Sequence, residues 1–160
     1  MRNVDRQLLE AAGLGDAIGV QAALLGGACA RSRGDQGRSA TMSSALRGDE
    51  GSLRLLLDAG ADPRAADDLG RTCLMYAAMG RGRSFSMLIA AGADPAAVDA
   101  RGESALAYAA AAQFEPMIAS LLSMGAQIAE AQAIWSQAQA ERWAGIAALA
   151  KAWVDAAHGR

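Results

Sequence analysis

His158 is the only histidine of the chain, and Cys29 and Cys73 are its only cysteines. A zinc site takes four protein ligands, or three and a water, so neither a metal centre nor a histidine-based catalytic group is expected, and no cofactor is. Both cysteines are expected to be reduced, small apolar fillers. Carboxylates remain, and Asp35 and Asp68 could do acid or base work. No nucleophile, base and orienting group stand at related spacing, however, so an enzyme is not expected. Arg33-Gly34-Asp35 and Arg47-Gly48-Asp49 spell an adhesion tripeptide twice. Gly-Asp is turn and cap chemistry in both places. The segment from Gly13 to Gly19 nearly matches a dinucleotide fingerprint, but it has no strand before it and its glycines are one residue out of register. Gly80 to Ser84, with Arg81 and Arg83, reads as a solvated helix junction.

Composition narrows the classes further. Lys+Arg 15 against Asp+Glu 17 gives a net charge of -2, which does not favour a polyanion, so nucleic acid is not an expected partner. Hydrophobic residues make up 52% of the chain and aromatic ones only 4%, so the core must be built of small side chains at close approach. No uncharged apolar run reaches the ~20 residues of a membrane span. The N-terminus lacks the ~7–15-residue apolar stretch of a secretory signal. A cytoplasmic protein is expected. The excess of Ala, Gly and Arg, with Lys151 as the lone lysine, points to a GC-rich bacterial genome.

Three ladders of glycine organise the chain. Gly15, Gly48 and Gly80 are spaced 33 and 32; Gly27, Gly60, Gly92 and Gly125 are spaced 33, 32 and 33; Gly37, Gly70 and Gly102 are spaced 33 and 32. Ahead of the second ladder come apolar residues three and four apart, such as Leu53, Leu56 and Leu57, or Phe85, Leu88 and Ile89, which predicts helices. The second-ladder glycines are expected to close those helices in the left-handed conformation, with Pro63 and Pro95 preventing continuation. Gly37, Gly70 and Gly102 mark tight turns. Ser39, Thr72 and Ser104, two residues later, are placed to cap the next helix through their hydroxyls. The doublets Ala77-Ala78 and Ala109-Ala110 allow close helix packing. No unit of this size buries its apolar face alone, so the units must stack.

Residues 67–94 read DDLGRTCLMYAAMGRGRSFSMLIAAGAD. With the period of 33, this resembles the ankyrin-repeat family's pattern of D-x-x-G-x-T-P-L-H-x-A-A followed by L-L-x-x-G-A-D. The resemblance implies an all-α solenoid of about five helix–turn–helix repeats with β-turn fingers. One domain is expected over residues 1–160, with repeats at 5–33, 34–66, 67–98, 99–130 and 131–160. The first and last are expected to act as caps, the last through Trp135, Trp143, Ile146, Leu149, Trp153 and Val154. Asp67 and Asp99, and Asp62 and Asp94, match structural turn positions of the family. The Pro and His of its tetrapeptide are lost from Ser39-Ala40-Thr41-Met42, Thr72-Cys73-Leu74-Met75 and Ser104-Ala105-Leu106-Ala107, and the hydrogen bonds of that His with them.

In this family partners usually meet the concave side made by the turn tips and inner helices. Carried over by position, those variable slots hold Arg33, Asp35, Gln36, Arg38, Leu46 and Arg47 in the second unit. The third unit supplies Asp68, Leu69, Arg71 and Met79, and the fourth Val98, Arg101 and Glu103. Five arginines face three carboxylates there, with Arg31, Arg64, Arg81 and Arg83 near the same edge. The expected partner is therefore another protein with an acidic surface, met by forked arginine hydrogen bonds. The resemblance implies a non-catalytic module, monomeric when free, that masks or inhibits its partner, as an immunity protein or antitoxin does, or else serves as a small adaptor.

Overall fold

The structure, a computed structural model, describes residues 1–80, 82–124, 133–134, 136 and 144–158. Helices come in pairs. α1 (Asn3–Leu14) is followed by α2 (Ala17–Leu25), α3 (Ala40–Arg47) by α4 (Glu50–Asp58), α5 (Cys73–Met79) by α6 (Phe85–Ala90), and α7 (Ala105–Ala111) by α8 (Glu115–Ser123). Each helix packs on its hairpin partner, and the first helices of the pairs pack in series, α1 on α3, α3 on α5 and α5 on α7. A further helix, α9 (Ala144–His158), lies against α8.

The core is built as the composition requires. Ala77, Ala78, Ala109 and Ala110 are buried where inner helices meet, beside Met42, Leu53, Leu74, Met75, Tyr76, Leu88, Leu106 and Ile118. Each large apolar side chain so buried contributes about 1.5–3 kcal/mol. Cys73 is part of this core, as expected, but Cys29, in the loop after α2, is exposed. On the first unit Leu14, Ile18 and Leu25 are exposed. Of the apolar residues expected to close the other end, Ile146 and Val154 are buried and Trp153 packs against the core. Trp135 and Trp143 lie outside the described residues, as does Gly125.

Helix ends follow their local chemistry. Gly27, Gly60 and Gly92 have φ of 85°, 84° and 91° and close α2, α4 and α6. Asp16 and Asp49 cap α2 and α4, accepting from the amides of Gly19 and Ser52. Ser39 Oγ accepts from the Met42 amide at 3.2 Å and Ser104 Oγ from the Leu106 amide at 3.0 Å. Thr72 departs from expectation: its buried Oγ1 has no hydrogen-bond partner among the described residues. In the family's histidine slots, the thioethers of Met42 and Met75 accept from the backbone amides of Ser39 and Thr72, each at 3.4 Å. Sulfur thus restores at two units a bond expected to be absent. At the junction after α5, Gly80 lies against the Leu46 backbone and Ser84 is fully buried, both less solvated than expected, while Arg81 lies outside the described residues.

A Cβ on Gly80 would collide with the Leu46 carbonyl group, whereas one on Gly60 would meet nothing within 4 Å. Gly60→Ala is therefore expected to cost only the left-handed penalty of about 1 kcal/mol. Gly80→Ala should cost about 2 kcal/mol or more, because the α3–α5 contact must open. Urea unfolding of the two variants checks the order.

Candidate functional site

Among the described residues three fingers project between the helix pairs, each closed by a single antiparallel bridge: Arg33 with Ser39, Ala66 with Thr72, and Val98 with Ser104. They are joined in a row. The Asp68 amide donates to the Gln36 carbonyl at 3.0 Å, and the Ala100 amide to the Leu69 carbonyl at 2.9 Å.

A buried carboxylate anchors the second finger. Asp67 Oδ1 accepts from the amides of Leu69 and Arg71 at 2.9 and 2.8 Å. Its Oδ2 accepts from Arg71 Nε and from the Tyr76 hydroxyl, both at 2.8 Å. The third finger repeats the arrangement: Asp99 Oδ1 accepts from the amides of Arg101 and Glu103, and Oδ2 from the Tyr108 hydroxyl at 2.8 Å. Burial alone would raise both carboxyl pKa values, but the bonds outweigh it. Arg71, Tyr76 and Leu69 lower the value for Asp67, and Glu103, Tyr108 and Arg101 lower that for Asp99. Burial and the adjoining aspartate raise both tyrosine pKa values, keeping the hydroxyls as donors.

The first finger has no such anchor. Glycine stands at Gly34 and serine at Ser43, and an open cavity of ≈ 350 Å³ lies among Leu9, Gly34, Asp35, Gln36, Arg38 and Ser43. Arg38 turns instead to the next unit, donating from Nε to the Tyr76 hydroxyl at 3.3 Å. The guanidinium carbons of Arg38 and Arg71 lie 5.1 and 5.2 Å from the Tyr76 ring centre. Such contacts hold an arginine in place as well as adding about 0.5–2 kcal/mol each.

The slots read from the sequence divide by role. Asp35, Gln36, Asp68, Leu69, Val98 and Arg101 are exposed along the row of fingers, with Leu69 50% and Val98 57% accessible. Leu46 and Met79 are half-buried and pack on the core. Arg33 donates to the Ala66 carbonyl at 2.7 Å, and Arg47 donates to the Gly13 carbonyl. Arg31 and Arg64 likewise bond the carbonyls of Gly60 and Gly92 at 2.8 and 2.7 Å, stapling one unit to the next. Arg71 is paired with Asp67, and Arg101 with Glu103 at 2.5 Å and Asp99 at 3.6 Å. Arg38 makes no ion pair among the described residues. Sequence reasoning missed Tyr76, Tyr108 and Ser43, although each stands nine residues after its finger's anchor position.

Two other polar groups matter to the frame. The Arg2 guanidinium, and then the Cys29 amide at 2.9 Å, pull the Asp5 carboxyl down to about 2, tying α1 to the loop after α2. Burial, reinforced by nearby Asp62, pushes the Cys73 thiol up to about 12, so it stays protonated and unreactive. Among the described residues no group of three or more His, Cys, Asp or Glu could hold a metal ion, and no helix is long and apolar enough to cross a membrane.

Comparison with known proteins agrees with this architecture. The family model described as ankyrin repeats in three copies matches residues 8–99 and again residues 41–132. No curated protein matches the chain.

Acid should loosen the structure through these anchors. A carboxyl whose folded pKa is lowered stabilises fully above its ordinary value of 3.8 and loses that contribution as pH falls, for Asp5 down through about 2. The urea midpoint is therefore expected to drop below pH 3.8, and less steeply in Asp67→Asn and Asp5→Asn. Tyr76→Phe should cost about 1–2 kcal/mol at neutral pH, by removing a donor to a buried carboxylate.

Proposed function

Because the chain belongs to the ankyrin-repeat family, whose repeats are generally modules of protein–protein interaction, we propose that its row of fingers and inner helices binds an acidic surface of another protein. The carrying observation is the state of Arg38: half-buried, held over Tyr76, and without a carboxylate of its own among the described residues. A guanidinium so placed loses little freedom when it forms a forked bond to a partner's carboxylate. Leu69 and Val98 supply exposed apolar contacts on the same row, and Asp35, Asp68 and Glu103 set which arrangements of charge are refused.

The module acts by occupancy. It masks or inhibits its partner without chemistry of its own, in the manner of an immunity protein, working as a monomer in a bacterial cytoplasm. An adaptor that tethers two proteins would use the same surface. The arginines do not contribute equally. Arg71, Arg33 and Arg47 are engaged with the fold, so reversing them would damage the frame as well as the surface.

Affinity capture from cells of the source organism, followed by size-exclusion chromatography of the purified pair, is expected to give a stable 1:1 complex. Arg38→Glu should weaken it at least about 100-fold, and Leu69→Asp about 10-fold, with helicity unchanged. Equal affinity in both variants would contradict the assignment of this surface.

A further inference from the structure

The repeats supply an internal comparison. At positions nine residues apart stand Asp67 and Tyr76, then Asp99 and Tyr108, but Gly34 and Ser43 in the second unit. In the two complete units the carboxylate accepts two amides of its own finger and one tyrosine hydroxyl. The second unit lacks carboxylate and phenol together, and its open cavity adjoins those two positions. Arg38 is the register equivalent of Arg71, whose guanidinium bonds the anchor Asp67.

We propose that this cavity is a receptor for one carboxylate side chain, aspartate or glutamate, of a bound protein. That carboxylate takes the part in the first finger that Asp67 and Asp99 take in the other two. The proposal rests on the protein-binding reading above and deepens it by naming the group recognised.

The lining fits that ligand. Arg38 supplies a guanidinium already oriented by Tyr76, and Ser43 supplies a hydroxyl where the other units place a phenol. The amides of Gln36 and Arg38 are the counterparts of those that Asp67 gathers; that of Gln36 gives to no carboxylate among the described residues, whereas that of Arg38 donates to the Asp35 carbonyl at 3.2 Å, a bond the incoming carboxylate would share or replace. Leu9 gives the methylene groups an apolar wall. The missing Cβ of Gly34 leaves room, since one built there would come within 3.2 Å of Leu9 Cδ1. Asp35 at the rim offsets part of the Arg38 charge, which suits a monoanion and disfavours a phosphate dianion. Gln36 has φ of 58°, a left-handed conformation that Leu69 and Arg101 do not adopt. A non-glycine residue there is strained, as befits a finger without its internal anchor.

The test uses the full chain and a capped hexaglutamate peptide, with hexaglutamine as control. Amide spectra are expected to show saturable shifts centred on Gln36, Arg38 and Ser43, with hexaglutamine inert. Gly34→Asp, alone and with Ser43→Tyr, furnishes the cavity with the chain's own carboxylate. These variants should weaken hexaglutamate binding at least about 10-fold and raise the urea midpoint, and Arg38→Gln should weaken binding similarly while lowering the midpoint or leaving it unchanged. Shifts that do not saturate, or that persist unaltered in Gly34→Asp, would overturn the proposal. A captured partner that still binds Gly34→Asp but is lost by Arg38→Glu would remove the receptor while leaving the wider binding surface in place.

Discussion

A carboxylate taken out of water must be given donors, and Asp67 is given four. Those donors come from the finger's own backbone, its own arginine, and a tyrosine on the helix that follows. One buried charge thereby fixes the shape of the finger and its angle to the inner helix. Asp99 does the same one unit on, and the amide bonds from Asp68 to Gln36 and from Ala100 to Leu69 carry the register along the row. The surface on which the functional reading depends is therefore rigid through polar groups, while the helices beneath are held by close alanine contacts.

The arginine-rich composition has a structural meaning that net charge conceals. Arg31, Arg33, Arg47 and Arg64 each reach a carbonyl of another unit, three of these at the last turn of a helix or just beyond it, where backbone acceptors are unsatisfied. They bind unit to unit and keep their charge. Arg71 and Arg101 are neutralised by their own fingers. Arg38 pairs with no carboxylate among the described residues, and its position is set by the following unit rather than its own.

Much of this was legible in the glycine ladders. Positions that demand a left-handed backbone admit few residue types, so Gly27, Gly60 and Gly92 recur with the period of the fold, and Asp16 and Asp49 recur beside them as caps. Partnerships were less legible. Whether an arginine faces solvent, a carbonyl or a carboxylate depends on a long, flexible side chain whose partner lies about 30 residues away, and nothing in the local pattern announces it. Sulfur standing in for imidazole at Met42 and Met75 was hidden because methionine usually signals core. The paired replacement of Asp and Tyr by Gly34 and Ser43 was written in the sequence at a constant spacing of nine. It acquires meaning only once the hydroxyl and the carboxylate are seen to touch.

Amide hydrogen exchange under native conditions tests most directly whether buried aspartates hold the fingers. The amides of Leu69, Arg71, Arg101 and Glu103 should exchange only as fast as the whole chain unfolds, with that of Gln36 at least about 10-fold faster. Equal exchange in all three fingers, or rapid exchange at the four anchored amides, would contradict it.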